Sequence, residues 1–287
     1  IQSNQNDQHG GQSIPNFDYA LAKGVAKTYR RLFAENLHKA LDLLAPGALR
    51  DRAHADDLIA QAATVAGNGP TLEANDAFLH ALSTIVDAGT DSGGEAARAV
   101  SFAADAAARE TDRRTYQAME ALIHNLNSMH SRAGAQTPFS SINYGTDTTP
   151  EGRMIIKNIL LATEAGLGLG ETPIFPIQVF KMKSGVNYNP GDPNHDLFRL
   201  ACRCSAKRLF PNFTNLDAPF NLQYYKPGRP ETEVATMGCR TRVMANRHDP
   251  SRETAYGRGN LSFTSINLPR LAIEAKGDEA AFFRALD

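Results

Sequence analysis

The stretch TPFSSINYGTDTTPEGRMIIKNILLATEAGLGLGETPIFPIQVFKM, residues 137–182 of a 287-residue chain, decides the fold class. Residues 137–144 and 173–182 are short and rich in β-branched and aromatic side chains, which predicts two strands. Residues 151–164 lie between them and predict a helix. The order strand, helix, strand indicates an α/β fold.

The regions on either side extend this pattern. Towards the N-terminus apolar residues recur at helical spacing, and we expect helices at 17–44, 55–66, 72–88 and 95–129. Towards the C-terminus we expect a helix at 196–209, an extended or irregular segment at 213–225, a strand at 260–267 and a last helix from Pro269. We therefore predict one domain, 1–287, with a mainly helical part (1–130) and an α/β part (131–287) that suggests half of an α/β barrel.

Composition and charge exclude several classes of protein. Lysine and arginine total 30 while aspartate and glutamate total 31, a net charge of −1, so no positive field attracts nucleic acid. No apolar run reaches the roughly 18 residues needed to cross a bilayer, so no membrane association is expected. Three cysteines do not make a disulfide framework and favour a reducing compartment, so we expect a cytoplasmic protein.

The run TMGCRTRV, residues 236–243, isolates one thiol between a glycine and two arginines. Gly238 permits a close approach of the backbone to its surroundings. Arg240 and Arg242 are two apart, so we expect them on the same face of an extended segment, where they can draw an anion towards Cys239. The pattern is typical of a reaction site. A buried loop thiol and solvated arginines are the alternatives.

The other two cysteines, Cys202 and Cys204, form a C-x-C within the helix predicted at 196–209. Side chains two apart on a helix point about 200° away from each other, which disfavours a shared metal or redox site. We expect buried structural thiols, because cysteine outside disulfides is commonly a small core hydrophobe.

Three further patterns receive structural interpretations. The G-x-G-x-G of residues 166–170 follows a helix and precedes a strand, the reverse of a dinucleotide-binding loop, so we predict a helix-ending loop. The HGG of residues 9–11 has no accompanying G-x-S-x-G, which argues against a serine hydrolase. The eight histidines include no H-E-x-x-H pair, so a zinc hydrolase is unsupported and no metal site is predicted.

Taken together, several runs of the sequence closely resemble the anaerobic (class III, glycyl-radical) ribonucleoside-triphosphate reductases. Most of residues 115–273 resembles that family, whereas residues 43–112 are Ala-rich and resemble it in composition more than in motif. The runs that carry the resemblance are HGGQSIPNFDYALA (9–22), NLNSMHSRAGAQTPFSSINYGTDTTPEGR (125–153), GETPIFPIQVFK (170–181), NYNPGDPNHDLF (187–198), SAKRLFPNF (205–213), DAPFNLQYYKPGRPETEV (217–234), TMGCRTRV (236–243) and GRGNLSFTSINLPR (257–270).

The resemblance implies an α/β fold that is part of a ten-stranded α/β barrel of the glycyl-radical enzyme and ribonucleotide reductase type, with a cysteine-bearing finger loop at about 234–259. It implies reduction of ribonucleoside triphosphates to 2′-deoxyribonucleoside triphosphates by a transient thiyl radical on Cys239, presented to the sugar within a sealed chamber. Asn260 matches the family's active-site asparagine and would hold ribose hydroxyls or the reductant. On local grounds Asn260 is equally a residue that turns the chain.

Two more residues are candidates because of their position in the predicted strand 137–144. Ser141 and Asn143 lie near its end, where α/β barrels usually place their chemistry, so they are candidates for hydrogen bonds to the ribose. The alternative is an ordinary strand-end turn.

The resemblance also implies cofactors and partners. It implies formate as the reductant, a glycyl radical on a C-terminal segment, nucleotide effectors, a radical-SAM iron-sulfur activating enzyme and a homodimer of the full-length protein. The family's glycyl-radical loop, its cysteine-bound zinc site and its second active-site cysteine cannot be matched to this sequence. We therefore expect an internal piece of a longer catalytic subunit, whose turnover alone is incomplete.

Two other functions stay open. A glycyl-radical enzyme of the pyruvate formate-lyase type shares the barrel and cysteine loop, but lacks the GCRTRV and SFTSINLPR match. A catalytically silent regulatory or interaction fragment is favoured by the unmatched cysteine and glycine. Binding of a ribonucleoside triphosphate distinguishes this fragment from both enzymes.

Overall fold

A computed structural model describes residues 10–45, 51–73, 75–89, 94–130, 136–246, 248–259 and 264–287. The chain divides into two compact units, residues 1–256 and residues 257–287. The elements of the first unit, in chain order, are β1 (Gln12–Ile14), α1 (Phe17–Leu44), α2 (Arg52–Ala66), α3 (Asp76–Gly89), α4 (Ala96–Ser128), β2 (Ser140–Tyr144), α5 (Pro150–Ala165), β3 (Ile177–Met182), α6 (His195–Arg208), β4 (Asn212–Asn215), α7 (Pro219–Leu222), a 3₁₀ turn (Pro230–Thr232), β5 (Ala235–Thr236) and β6 (Arg242–Val243). The second unit contains α8 (Leu268–Ala275) and α9 (Glu279–Leu286).

Four strands form a parallel sheet in the order β1-β2-β3-β4. Ser13 pairs with Ser141, Asn143 with Val179, and Val179 with Asn212. Helix α5 connects β2 to β3 and α6 connects β3 to β4, so the predicted order of strand, helix and strand is confirmed as an α/β fold. The three-residue strand β1 was missed by the sequence analysis, because it is too short for a periodic signal and depends on its pairing with β2.

Every residue of β2 is buried, and so are the first five of β3. Burial on both faces is usual for parallel strands. One face, which we call the helix face, carries Ile142, Tyr144 and Phe180 and packs into a core with α5 and α6. Successive side chains alternate, so the opposite face carries Ser13, Ser141, Asn143, Ile177, Lys181 and Asn212. We call this the hairpin face, because the chain from Glu233 to Arg240 lies against it.

The helical part of the first unit has a core of its own. Helices α1, α2, α3 and α4 pack through fully buried residues that include Leu32, Phe33, Phe78 and Leu82. Helix α1 has the predicted bounds, and α4 lies within one residue of them at either end. Helix α3 begins at Asp76, four residues after the predicted start, because Asn75 precedes it and its side-chain oxygen accepts a hydrogen bond from Phe78 N at 3.2 Å.

Local signals set the ends of α5. Thr149 caps its N-terminus by accepting a hydrogen bond from Gly152 N at 3.1 Å, and Pro150 occupies the first helical turn. Gly166 ends the helix at φ +85°, where an added Cβ would lie 2.6 Å from Glu171 O. The predicted helix-ending role of the G-x-G-x-G is thereby confirmed.

In the second unit the two helices each begin with a side-chain cap. Asn267 accepts a hydrogen bond from Arg270 N at 3.0 Å, and Asp278 accepts one from Ala281 N at 3.0 Å. Of the strand predicted at 260–267, residues 260–263 lie outside the described residues. Residues 264–267 are irregular, so the prediction is wrong for them. The regular elements in the described part of this unit are the helices α8 and α9, and neither offers a strand for them to pair with.

Candidate active site

Cys239 lies at the turn of a short antiparallel hairpin formed by β5 and β6. The turn is closed by hydrogen bonds from Met237 N to Thr241 O at 2.9 Å and from Arg240 N to Met237 O at 2.8 Å. The thiol is exposed, and its sulfur lies 3.3 Å from Thr241 Oγ1. The hairpin therefore presents the sulfur outwards, at the point where the chain reverses.

Asn143, in the middle of β2, holds the hairpin against the sheet. Its amide nitrogen donates to Thr236 O at 2.9 Å, and its amide oxygen accepts from Thr236 N at 2.8 Å. Ser13 Oγ donates to the same carbonyl at 3.1 Å. Asn143 is fully buried, so its amide substitutes for a neighbouring strand at Thr236. This anchor was not foreseen from the sequence, and a contact of Asn143 with ribose stays a prediction.

Gly238 is the point of closest approach between the hairpin and the sheet. A Cβ at this position would lie 2.6 Å from Phe139 Cε1 and 3.2 Å from Ile177 Cδ1, well inside ordinary contact distance. The predicted need for glycine here is confirmed, and its reason is the missing side chain. Phe139 precedes β2 and Ile177 begins β3, so the turn lies over the amino-terminal end of the sheet.

The two arginines beside Cys239 do not share a face. Arg240 has φ +70°, because it closes the turn, whereas Arg242 lies in β6. The expectation of one extended segment is therefore wrong. Arg240 donates through Nε to Asn212 Oδ1 at 2.9 Å, and Arg242 stacks on Phe220 with its guanidinium carbon 4.6 Å from the ring centroid. Both guanidinium groups are thus held by protein contacts, and binding of an anion stays a prediction.

Ser141 lies on the hairpin face, one side-chain repeat before Asn143 on the same strand. Only 1% of its surface is exposed, and its hydroxyl has no hydrogen-bond partner among the described residues. A buried hydroxyl without a partner is uncommon. A contact between Ser141 and ribose stays a prediction.

A buried ion pair at the other end of the hairpin face was missed by the sequence analysis. Lys181 Nζ lies 3.0 Å from Glu233 Oε2, with 1% and 5% of the two side chains exposed. Lys181 also donates to Asn16 Oδ1 at 2.5 Å, and Thr146 Oγ1 donates to Glu233 Oε2 at 2.9 Å. Burial, and then the charge of Glu233, raises the pKa of nearby Tyr19. The available signal was a lysine in phase with Ile177 on an otherwise apolar strand face.

Asp18 ties the first turn of α1 to the end of β2. Its Oδ2 atom accepts hydrogen bonds from the backbone amides of Gly145, Thr146 and Asp147 at 2.8, 3.1 and 3.1 Å. Successive amides that converge on one oxygen form an anion-binding concavity, and here the chain's own carboxylate fills it. The carboxyl-terminal end of β2 is therefore occupied by an internal contact.

The two cysteines of the C-x-C differ in burial, as expected for positions two apart on a helix. Cys204, on α6, is buried in the core against the sheet, and burial, followed by the charge of Glu164, raises its pKa to about 12. Cys202 is exposed, so the prediction of two buried thiols is wrong for this residue. The physical reason is the rotation of about 200° between positions two apart on a helix.

Asn260, the second predicted catalytic residue, lies outside the described residues, so its role stays a prediction. Within the described ranges, no three His, Cys, Asp or Glu side chains come together as metal ligands. The helices in those ranges include none with the length and apolar character needed to span a membrane. The expected sealed chamber around Cys239 is not formed by the described residues, since the thiol is exposed.

The arrangement defines a class of structure, an α/β protein with helices on one face of a parallel sheet and a cysteine-bearing hairpin across the other. The family described as anaerobic ribonucleoside-triphosphate reductase matches residues 1–287. The chain belongs to this family. The match over the whole length of the chain carries that membership.

Individual relatives agree with the family match. The chain is 38% identical over 178 residues to the anaerobic ribonucleoside-triphosphate reductase of Escherichia coli, an alignment that covers 62% of this chain and 24% of that protein. It is 37% identical over 167 residues to the protein of the same name from Enterobacteria phage T4, covering 58% of this chain and 27% of the phage protein. The chain therefore spans about a quarter of the length of the curated relatives that it matches.

Proposed function

We propose that this chain is part of the catalytic portion of an anaerobic ribonucleoside-triphosphate reductase, and that Cys239 is the residue that reacts with the sugar. Family membership and the names of the relatives support the reaction. The observation that carries the assignment of Cys239 is its place at the turn of a hairpin that Asn143 and Gly238 hold against the sheet. An anchored turn keeps a reactive sulfur at a reproducible position, which catalysis by proximity requires.

The stored glycyl radical of this family would lie on a segment outside this chain. The exposed thiol of Cys239 fits such an arrangement, since a group from another segment can reach its sulfur. When present, that radical would accept the hydrogen atom of the Cys239 thiol.

Cys239 then acts on the ribose. After loss of its hydrogen atom, the sulfur takes the 3′ hydrogen of the sugar, which restores the S–H bond and leaves the unpaired electron on C3′. The 2′ hydroxyl takes up a proton and leaves as water while the 3′ hydroxyl gives up its own proton, so the sugar becomes a 3′ ketone with the unpaired electron on C2′. Formate supplies two electrons and one hydrogen and leaves as carbon dioxide, a proton from solution completes the balance, and Cys239 returns its hydrogen atom to C3′.

Other parts of the proposal concern the surroundings of the sulfur. We propose a ten-stranded barrel with a finger loop at about 234–259. In the full-length protein, parts outside this chain would enclose Cys239. Enclosure keeps a sulfur or carbon radical from water and stray hydrogen donors. Asn260 would position ribose hydroxyls or formate, with Ser141 and Asn143 as further candidates for the ribose.

The proposal extends to the partners of the full-length protein. We propose nucleotide effectors, a radical-SAM iron-sulfur activating enzyme, a homodimer and a cytoplasmic location, all in keeping with the family. The family's zinc site and second active-site cysteine would likewise lie outside this chain.

The central test replaces Cys239 with serine in the full-length reductase that carries this chain. Nucleotide reduction should be abolished, while electron paramagnetic resonance should still detect the glycyl radical after activation. Cys202→Ser is the matched control, because Cys202 is also an exposed thiol but lies on α6, away from the hairpin. Turnover by the Cys239→Ser enzyme would refute the assignment.

Asn260→Ala tests the second predicted catalytic residue in the same enzyme. We expect normal folding by circular dichroism and heavily reduced turnover, because the ribose or the reductant loses its positioning hydrogen bonds. Unchanged kinetics would leave Asn260 with the role of a turn residue.

A further inference from the structure

We propose that the buried pair Lys181–Glu233 is a positioning device for Cys239, which sets the register of the hairpin along the sheet. This inference rests on the proposed role of Cys239. Glu233 precedes β5 by two residues and Cys239 by six, and Lys181 lies towards the carboxyl-terminal end of β3. The pair therefore connects the root of the hairpin to the sheet.

Three contacts hold the chain along one line of the hairpin face. Glu233 meets Lys181 near the carboxyl-terminal end of β3, Thr236 meets Asn143 in the middle of β2, and Gly238 meets Ile177 at the amino-terminal end of β3. Lys181 and Ile177 are four strand residues apart, about 13 Å at roughly 3.3 Å per residue. The six residues from Glu233 to Gly238 are joined by five steps of about 3.3 Å, so a nearly extended chain covers this span.

The chemistry of the Lys181–Glu233 contact suits a role in fixing the register of the hairpin. A buried ion pair is weak evidence for net stability, because desolvation of both charges offsets most of their attraction. It is selective, however, since a shifted chain would leave Lys181 and Glu233 buried without partners. The hydrogen bonds from Thr146 to Glu233 and from Lys181 to Asn16 add direction to the charge attraction.

The consequence of losing the pair is a displaced sulfur. A one-residue slip moves the hairpin by about 3.3 Å along the sheet and reverses which side chains face it. Displacements of about 1 Å in a reacting group can lower turnover by about 100-fold. Lys181 and Glu233 are thus positioning residues that act through the hairpin.

The test uses the double variant Lys181→Met with Glu233→Gln in the full-length reductase, because removal of both charges leaves no unpaired ion in the core. Hydrogen exchange should become at least about tenfold faster at Thr236 N, the hairpin amide that donates to Asn143, with β2 and α5 unchanged. Turnover should fall by about 100-fold at an unchanged KM and an unchanged yield of glycyl radical.

Two further variants keep the test decisive. The control is Arg203→Met with Glu164→Gln, which removes an ion pair with an N–O distance of 2.7 Å between α6 and α5. These helices pack on the helix face of the sheet, opposite the hairpin, so both readouts should stay unchanged. Thr146→Val is the milder probe should the double variant not fold, since it removes the hydroxyl bonded to Glu233 and keeps both charges.

The outcomes separate this inference from the proposed function. Unchanged hairpin exchange and turnover would overturn the positioning role, and so would faster exchange spread evenly over the sheet and helices, which marks a stabilising role only. Hydrogen exchange does not depend on the reaction. Residual turnover in Cys239→Ser therefore removes the proposed function without deciding how the hairpin is held.

Discussion

Replacement of Gly238 by alanine tests whether close packing on the sheet fixes the cysteine hairpin. The new Cβ would lie 2.6 Å from Phe139 Cε1 and 3.2 Å from both Phe139 Cζ and Ile177 Cδ1. Carbon atoms prefer about 3.5–4.0 Å, so the hairpin or the Phe139 ring must move by about 1 Å. Overpacking of this kind typically costs about 1–3 kcal/mol.

Two other effects bear on the magnitude. Alanine restricts the unfolded chain more than glycine does, which stabilises the folded state by about 0.4–1 kcal/mol. If the Phe139 ring moves instead of the hairpin, its edge contact with Phe175, at 5.2 Å between centroids, is lost at about 0.5–1.5 kcal/mol. Gly238→Ala should therefore lower the free energy of unfolding by about 1–2 kcal/mol.

The assay is urea denaturation followed by circular dichroism, with Gly24→Ala as the matched control. Gly24 lies inside α1, and a Cβ added there would meet nothing within 4 Å, so alanine should stabilise by about 0.5–1 kcal/mol. Adding Phe139→Ala should make Gly238→Ala nearly neutral, because the two changes share one contact. A Gly238→Ala protein as stable as the original would refute the reasoning if, in addition, its effect on the free energy of unfolding combined with that of Phe139→Ala no differently from how it combined with that of Gly24→Ala.

Individual contacts give three other predictions. Although burial opposes the shift, hydrogen bonds from Lys183 and Ser184 lower the pKa of Asp217. The ionised Asp217 therefore stabilises the folded state above about pH 4, and this stabilisation is lost as pH falls. Lys183→Met should lower the free energy of unfolding at pH 7, and the difference from the original protein should shrink below about pH 4 in urea titrations. Iodoacetamide should label Cys202 in the native protein and Cys204 only after unfolding, as peptide mass spectrometry would show. Arg208→Met should lower the free energy of unfolding by about 2–4 kcal/mol, because the buried guanidinium donates to carbonyls at the end of α5.

Features that depend on neighbouring residues were accessible from the sequence. The bounds of α1 follow from apolar spacing, and Gly166 ends α5 because the backbone there has a positive φ. The need for glycine at 238 also followed from local reasoning, although its contacts did not. Local reasoning failed at Cys202, because residue type suggested burial whereas its position on α6, away from the buried face of Leu197, Ala201 and Cys204, decides its exposure.

Parts of the candidate site depend on residues far apart in the chain. Asn143 bonds to Thr236, 93 residues later, and Lys181 pairs with Glu233, 52 residues later. Nothing in the immediate sequence of either side chain marks its partner, because hydrogen bonds and ion pairs of this kind form only when the sheet has brought the two segments together. The sequence therefore indicated the candidate sulfur without indicating what holds it.

By itself the sequence determined the α/β class, the helical first part and the one thiol set between glycine and arginine, because side-chain periodicity and residue type act over one or two turns of chain. Only the tertiary structure decided that Lys181 is a buried charge, that Asn143 serves as a clamp and that Arg240 turns away from Arg242. These roles follow from the desolvation of polar groups on a shared face of the sheet, which requires each buried group to find a partner across the fold.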